Sequence, residues 1–316
     1  MKPKIVFMGT PGFATATLRE LIDKDYDVVG VVTVPDKPAG RGYKLSESDV
    51  KKFAKQTDLP IFQPEKLKSK QFLADLKALN ADLFIVVAFR MLPTEVWQIP
   101  KLGTFNLHGA LLPNYRGAAP INWAVINGEK ETGVTTFFID EKIDTGDILL
   151  NAKIPVDEND TAGIVHDKLM AIGAELVCET VDKIAAGTIK PVKQKEILDQ
   201  TEIKNAPKIF TETCMLNWNN SAEEIHNLIR GLSPFPGAFF KVVEDGNEFI
   251  VKVYKSKISE GVLTKGVIES DGKKYWHIGT GKGVVSLLEV QFPGKKRMDI
   301  KSFLSGNKVN NLSIMV

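Results

Sequence analysis

This chain of 316 residues has few cysteines, no long apolar run and almost no excess of one charge. Its two cysteines, Cys178 and Cys214, form no CxxC pair, which argues against a disulfide framework and against a cysteine zinc site. No stretch approaches the roughly 20 apolar residues of a membrane span. The N-terminal apolar run ends at Met8, too soon for a signal-peptide core. We therefore expect a cytoplasmic protein without a membrane partner.

The net charge is also small, at +2, but it is unevenly distributed. From Ala206 onward, 15 Lys and Arg residues stand against 11 Asp and Glu residues, whereas the remainder is slightly acidic. A small total neither requires nor excludes a nucleic-acid partner, because binding depends on local patches. The length suits two domains of roughly 100–200 residues each.

The first half of the chain alternates strand and helix patterns. Short apolar runs predict buried strands at residues 4–8, 28–34, 83–87 and 103–107. Helical patterns occur at residues 49–56, 69–79 and 161–186. This alternation predicts a doubly wound α/β domain, in which ligands bind beyond the carboxyl ends of the strands. The loops after Met8, Val34, Val87 and Leu107 are therefore the candidate site.

The last hundred residues follow a different pattern. One helix is predicted at residues 222–232, and short alternating runs follow it at 239–243, 249–254, 266–268, 275–279 and 284–290. Such spacing predicts a small β-barrel. The predicted organisation is therefore a catalytic domain at 1–187, a linker at 188–207 and a barrel domain at 208–316.

Two polar residues stand at the end of the fourth apolar run, Asn106 and His108. Side chains two residues apart on a strand point to the same face, and Gly109 then turns the chain out of the sheet. Asparagine donates hydrogen bonds to an oxygen that becomes negative, and histidine takes and returns a proton near neutral pH. The pair suits attack of an amine on a carbonyl-like carbon, although an isolated Asn-x-His is usually structural.

A third group, Asp144, opens the sequence Asp-Thr-Gly-Asp and is expected in a tight loop near a strand end. A carboxylate there would orient His108 and favour its protonated form. The tripeptide Asp-Thr-Gly also occurs in simple turns and in aspartic proteases, but such proteases require an all-β setting. This half of the chain does not offer one.

Other chemistries find less support. The segment Gly9-Thr-Pro-Gly12 lacks both the GxGxxG spacing and the lysine of a phosphate-binding loop. The remaining histidines, His166, His226 and His277, are scattered without metal-ligand spacing, so we expect no metal.

Segment 106–120, NLHGALLPNYRGAAP, with DTGD at 144–147, resembles the folate-dependent formyltransferase family. Supporting segments are FMGTP at 7–11, PDKPAGRG at 35–42 and IRGLSPFPGA at 229–238. The resemblance runs from residue 4 into the barrel and is closest to members that act on a tRNA. It implies a Rossmann-like first domain and an OB-like barrel. The implied reaction carries a formyl group from 10-formyltetrahydrofolate to the α-amino group of methionyl initiator tRNA, for initiation of translation.

The resemblance also implies roles for individual residues. Asn106, His108 and Asp144 would be catalytic, without a metal, in a monomer. The folate would lie against Phe89, Arg90, Met91, Leu92, Ala110, Leu111, Leu112, Pro113 and Asp140. The tRNA would contact Arg41 and Lys44 in a mobile loop, and the barrel lysines and arginine Lys252, Lys255, Lys257, Lys295, Lys296 and Arg297. Clustered cations of this kind suit phosphate contacts, although any single one is more often a solvated surface residue.

Three positions depart from the family pattern. Gly12, Arg90 and Ala110 stand where the family usually has an acidic residue, a glycine and a serine. We expect these changes to alter the fit of the folate and to preserve the chemistry.

Two other functions stay open. One alternative is a formyltransferase for a small amine, such as a glycinamide ribonucleotide or an amino sugar. The other is a tRNA-binding protein with an inactive catalytic half.

Overall fold

The chain folds into two compact units in a computed structural model that describes residues 2–39, 44–197, 203–309 and 311–314. The first unit comprises Met1–Gly117, Gly133–Ile154 and His166–Asn205, and the second comprises Ala118–Thr132, Pro155–Val165 and Ala206–Val316. The linker and the exact domain boundaries proposed from the sequence stay a prediction.

Secondary structure is assigned to most of the described residues. The strands in chain order are β1 (Ile5–Gly9), β2 (Val28–Val32), β3 (Lys37–Ala39), β4 (Lys44–Ser46), β5 (Ile61–Phe62), β6 (Leu83–Val87), β7 (Thr104–His108), β8 (Arg116–Gly117), β9 (Glu131–Phe138), β10 (Ile148–Pro155), β11 (Asn205–Ala206), β12 (Ala238–Glu244), β13 (Asn247–Ser259), β14 (Ile268–Ser270), β15 (Trp276–Gly279), β16 (Val284–Gln291), β17 (Met298–Asp299) and β18 (Ser313–Ile314). The α-helices are α1 (Gly12–Asp23), α2 (Asp49–Ala54), α3 (Lys70–Ala78), α4 (Thr94–Trp97), α5 (Pro120–Ile126), α6 (Ala162–Ala185), α7 (Gln194–Ile197), α8 (Ala222–Gly231) and α9 (Ile300–Leu304).

Within the described ranges, the larger sheet of the first unit has seven strands in the order β10-β9-β7-β6-β1-β2-β5. Strands β5, β2, β1, β6 and β7 run parallel, and β9 pairs with β7 in the antiparallel direction. This arrangement confirms the predicted doubly wound α/β domain. Strands β9 and β10 were not predicted from the sequence.

Close packing explains how the chain leaves the first strand. Gly9 ends β1, and a Cβ there would lie 2.6 Å from the Cβ of Ala14 in α1. Any larger residue would therefore push the helix away from the sheet. The next helices begin at side-chain caps, because Ser48 accepts a hydrogen bond from Lys51 N and Ser69 accepts one from Phe72 N.

The longest helix, α6, spans 24 residues and matches the helix predicted near residues 161–186. Among the residues that the structure describes, no helix is both long enough and apolar enough to cross a membrane.

The second unit is built on an antiparallel, nearly closed, barrel-like sheet. Its strand order in the described part of the chain is β14-β15-β16-β13-β12-β18, and β17 adds to β16. Helix α8 begins with a capping box in which Ser221 and Glu224 satisfy each other's backbone N–H groups. The buried aromatic side chains of the core are Trp218, Phe240, Trp276 and Phe303. The predicted barrel and the helix that precedes it are confirmed.

His226 on α8 is buried and holds both ring nitrogens in hydrogen bonds. Its Nε2 donates to the Glu158 carbonyl at 3.1 Å, and Nδ1 lies 2.9 Å from Ser256 Oγ. Burial lowers the pKa of His226 below its ordinary value of 6.5, and the bond to the Glu158 carbonyl opposes this.

The neutral state of His226 predicts acid sensitivity. Below pH 6.5 this histidine takes up a proton more readily in the unfolded chain than in the folded chain, so its contribution to stability is complete above that pH and falls below it. The slope per buried histidine is at most about 1.4 kcal/mol per pH unit. We expect His226→Gln to reduce the dependence of the melting temperature on pH between neutral and mildly acidic conditions. An unchanged dependence would contradict a neutral His226.

Candidate active site

Strand β7 carries Asn106 and His108 to the carboxyl edge of the parallel strands. Asn106 lies between Val86 of β6 and Phe137 of β9 in the register, and His108 lies opposite Thr135. His108 is 6% exposed, and its ring meets the Phe137 ring edge-on at 6.4 Å. The carboxamide Oδ1 of Asn106 is buried and has no hydrogen-bond partner in the described ranges. Buried polar atoms in proteins are rarely left in this state, so Asn106 is equipped to bind a further group.

One hydrogen bond determines the tautomer of His108. Its Nε2 lies 2.8 Å from the carbonyl oxygen of Tyr115. A carbonyl only accepts, so Nε2 carries the proton and donates. In the neutral ring, Nδ1 therefore presents a lone pair.

Asp144 faces that lone pair from the turn that joins β9 to β10. Its Oδ2 lies 3.9 Å from His108 Nδ1, which is longer than a hydrogen bond. The same oxygen accepts a hydrogen bond of 2.9 Å from Gly117 N. Asp144 has a φ of 55°, a left-handed conformation that aspartate adopts more readily than most residues. The carboxylate is thus held near His108 without occupying Nδ1.

Burial lowers the pKa of His108 below 6.5, while the Asp144 carboxylate and the bond to the Tyr115 carbonyl act in the opposite direction. The net lowering leaves the imidazole neutral near pH 7. The sequence predicted that Asp144 would favour the protonated ring. Asp144 raises the pKa of His108 as expected, but the lowering by burial is larger.

The turn after Asp144 depends on a glycine. A Cβ on Gly146 would overlap the carbonyl oxygen of Phe138 in β9. Gln194 donates to the carbonyl oxygens of Asp144 and Gly146 at 2.9 and 2.8 Å. The glycine two residues after Asp144 is thus required by close backbone packing.

The loop after β7 holds four residues predicted to contact folate: Ala110, Leu111, Leu112 and Pro113. Ala110, Leu112 and Pro113 are buried, and Leu111 is half-buried. Thr135 of β9 pins this loop, because its hydroxyl donates to the Ala110 carbonyl at 2.7 Å and accepts from Leu112 N at 3.1 Å. The backbone path of the loop is therefore set by the neighbouring strand.

The loop after β6 holds four more of these residues: Phe89, Arg90, Met91 and Leu92. Leu92 is buried, whereas Met91 is 67% exposed. Arg90 donates to the carbonyls of Glu65 and Pro64 at 3.2 and 2.8 Å, and its guanidinium lies 5.3 Å from the centre of the Phe89 ring. Because β6 and β7 are parallel neighbours, both loops leave the same edge of the sheet.

Asp140 lies in the same turn as Asp144 and is exposed. Its carboxylate accepts from Thr145 Oγ1 at 2.8 and 2.9 Å and from Lys142 N at 3.0 Å. These bonds give Asp140 a local role in closing the turn. Among the described residues, no group of three His, Cys, Asp or Glu side chains is arranged to hold a metal ion.

The six barrel cations predicted to contact tRNA all belong to the second unit. We call Lys252, Lys255, Lys257, Lys295, Lys296 and Arg297 the basic cluster. Lys255 Nζ lies 3.6 Å from Glu289 Oε2, and Arg297 contacts Oε1 of the same carboxylate. Arg297 also covers the Tyr254 ring at 4.2 Å. Lys255 on β13 and Arg297, just before β17, therefore share the Glu289 carboxylate on β16.

The remaining predicted tRNA contacts, Arg41 and Lys44, follow β3 in the sequence. Arg41 lies outside the described residues. Lys44 begins β4, which pairs antiparallel with β3.

Three residues that build this site were not predicted from the sequence. Tyr115 holds His108 through its backbone carbonyl, and a backbone acceptor has no signature in the sequence. Thr135 lies on β9, a strand that was not predicted from the sequence. Gln194 lies in the segment predicted as a linker, yet it is 3% exposed.

These features agree with a match to family models along nearly the whole chain. Residues 3–181 match the model described as formyl transferase, and residues 208–308 match its C-terminal domain. The chain belongs to the formyl transferase family. A relative from Bacteroides thetaiotaomicron, named methionyl-tRNA formyltransferase, is 50% identical over 98% of this chain and 97% of its own length.

Solved structures share the fold at lower identity. A sugar 3N-formyl transferase, solved in the presence of dTDP and 5-N-formyl-THF, aligns with a TM-score of 0.67 at 21% identity, over 94% of this chain and 100% of that one. An N-formyltransferase from Helicobacter canadensis, in complex with folinic acid and dTDP-3-aminofucose, aligns with a TM-score of 0.65 at 21% identity, over 91% and 98%. At this identity the likeness establishes the fold alone.

The geometry of His108 predicts its titration. We expect its imidazole to titrate below pH 6.5, because burial disfavours the charged ring. Asp144→Asn removes the carboxylate that raises this pKa and should lower it further. Proton NMR of the ring resolves this, since the chain has four histidines and His108→Gln identifies the signal. A His108 pKa that rises in Asp144→Asn would show that the carboxylate does not act on the ring.

Proposed function

We infer that this chain transfers a formyl group to the α-amino group of methionyl initiator tRNA, for initiation of translation. The observation that carries this conclusion is the 50% identity, over 98% of the chain, to a relative named methionyl-tRNA formyltransferase. The identity spans both units. It therefore includes the second unit, which carries none of the residues that we place in the reaction at His108.

The formyl donor that we propose is 10-formyltetrahydrofolate. Two proteins of the same fold were solved with formylated folates. The loops at 89–92 and 110–113 leave adjacent parallel strands and expose Met91 and part of Leu111. Apolar side chains at the carboxyl edge of a parallel sheet suit a flat, aromatic cosubstrate.

The neutral ring of His108 starts the reaction as a base. Its Nδ1 takes a proton from the ammonium group of methionine, and the free amine then attacks the formyl carbon. A carbon–nitrogen bond forms and the formyl oxygen gains the negative charge. The attacking nitrogen releases its second proton to solvent, and the imidazolium returns the first proton to the folate nitrogen as the old carbon–nitrogen bond breaks and the carbonyl re-forms. Asp144, 3.9 Å from Nδ1, stabilises the imidazolium between these two steps.

Asn106 and His108 share the stabilisation of the oxyanion. The Asn106 carboxamide stands two residues before His108, and its buried Oδ1 is available to accept from the attacking amine while the amide N–H donates to the oxyanion. Tyr115 keeps the proton on His108 Nε2 throughout, so that the transferable proton is always on Nδ1.

We propose that the basic cluster holds the tRNA body while Arg41 guides the acceptor end. Lys257 and Lys296 are exposed, and cations in such positions release counterions on binding phosphates. We further propose that the protein acts as a cytoplasmic monomer. The proposed organisation has catalysis in residues 1–187, a linker at 188–207 and tRNA binding in 208–316.

Substitution of the catalytic side chains tests the reaction. His108→Ala should lower kcat about 10²–10⁴-fold, and Asn106→Ala about 10²–10³-fold, with little change in folding. The assay is formyl transfer from 10-formyltetrahydrofolate to charged initiator tRNA, and a dTDP-linked amino sugar serves as the competing acceptor. His277→Ala is the matched control, because it removes an imidazole from β15 in the second unit.

Two results would overturn these assignments. Near-normal kcat in either catalytic variant would remove the residue from the mechanism. Faster transfer to the amino sugar than to the tRNA would replace the proposed acceptor.

Neutralising the basic cluster tests the tRNA surface. Lys255→Ala/Lys257→Ala should weaken tRNA binding and reduce the slope of log Kd against log salt by about one for each phosphate that the variant no longer neutralises. Folate affinity should not change. Lys273→Ala/Lys274→Ala is the control, because it removes two exposed cations from the turn between β14 and β15. Equal salt slopes in both double variants would exclude a specific role for the cluster.

A further inference from the structure

Gln194 is a buried polar residue whose hydrogen bonds all lead toward the candidate active site. Its amide nitrogen donates to the carbonyl oxygens of Asp144 and Gly146, at 2.9 and 2.8 Å. Its side chain is 3% exposed, so these bonds form away from solvent. One glutamine thus satisfies two carbonyls of the turn that presents the Asp144 carboxylate.

Arg116 completes the bonding of Gln194 from the opposite side. Its Nε and Nη2 both donate to Gln194 Oε1, at 3.1 and 2.6 Å. Both donors of the Gln194 amide and its acceptor oxygen are therefore satisfied by named partners. A network with every member satisfied holds a single geometry more firmly than its separate bonds would.

The position of Arg116 in the chain gives this network its significance. Tyr115, one residue before it, accepts the hydrogen bond of His108 Nε2. Gly117, one residue after it, donates its N–H to Asp144 Oδ2. The two backbone groups that hold the two catalytic side chains therefore flank the arginine that binds Gln194.

The backbone before Gln194 is itself tied to the strand after the Asp144 turn. Ile148 and Val192 exchange two backbone hydrogen bonds of 2.9 Å each. Gln194 is thus fixed relative to β10. Its side chain, together with that of Arg116, connects the backbone of the Asp144–Gly146 turn to the 115–117 segment.

We propose that Gln194 and Arg116 are positioning residues that set the separation of His108 from Asp144 during formyl transfer. This inference rests on the proposed function, because His108 and Asp144 carry the proton transfer in it. It also assigns a role in catalysis to a residue of the segment that was predicted to be a linker.

The first experiment replaces Gln194 with an apolar side chain of similar length. Gln194→Met should lower kcat about 10- to 100-fold and leave the KM values for folate and tRNA nearly unchanged. The matched control is Thr104→Val, which removes a buried hydrogen bond of 2.7 Å to the Trp97 carbonyl at the opposite end of β7. The control should lose stability and keep its kcat.

A double-mutant cycle separates positioning from general destabilisation. If Gln194 acts through Asp144, Gln194→Met should cost much less in an Asp144→Asn background than in the wild type. The same fold-loss in both backgrounds would overturn the proposal.

A readout without catalysis keeps the test independent of the proposed function. The Gly117 amide should exchange with solvent faster in Gln194→Met than in the wild type, and Thr104→Val should leave it unchanged. Protection of Gly117 equal to the wild type would overturn the positioning role, whereas reduced protection in a protein that does not formylate tRNA would overturn the proposed function alone.

Arg116 variants cover the case in which Gln194→Met does not fold. Arg116 is half-buried, so its replacement disturbs the core less. Arg116→Met should reproduce the loss of kcat, and Arg116→Lys, which keeps one donor to Gln194 Oε1, should recover part of it. Equal kcat in the Arg, Lys and Met forms would also overturn the proposal.

Discussion

The hydrogen bond from His108 Nε2 to the Tyr115 carbonyl is the interaction on which the chemistry of the site depends. It assigns the proton to Nε2 and leaves Nδ1 as the atom that exchanges protons with substrate in the proposed mechanism. Because the ring is buried, its pKa is lowered and it rests in the neutral form. In that mechanism Asp144 stabilises the charge on the ring only while the ring carries the transferred proton. A carboxylate in direct contact would hold that proton too firmly to return it.

The backbone around the ring is shaped to keep that carboxylate close without direct contact. Tyr115 and Asp144 both have positive φ, at 60° and 55°, and such residues cluster where a structure over-determines its local conformation. The Gly117 N–H binds one carboxylate oxygen, and Gly146 lets the turn lie on the Phe138 carbonyl. These contacts come from separate parts of the chain, so the position of one carboxylate depends on several segments at once.

Much of the fold could be predicted from the sequence, because its main elements have strong local patterns. The buried parallel strands are short, mainly apolar runs, and the helix of 24 residues has both a clear beginning and a glycine after its end. Strands β9 and β10 were missed. The segments at 118–132 and 155–165 belong to the second unit, although they are far in sequence from the rest of that unit. Local patterns carry no information about such long-range contacts.

The sequence by itself determined that an asparagine and a histidine share one face at the end of a strand, since residues two apart on a strand always do. It also placed Asp144 in a turn and, through a resemblance, in the same site. Only the tertiary structure decided the protonation of His108 and the part played by Gln194. Both depend on burial and on backbone carbonyls brought together from distant segments. Neither burial nor the position of a distant carbonyl follows from a residue type or from its neighbours in the chain.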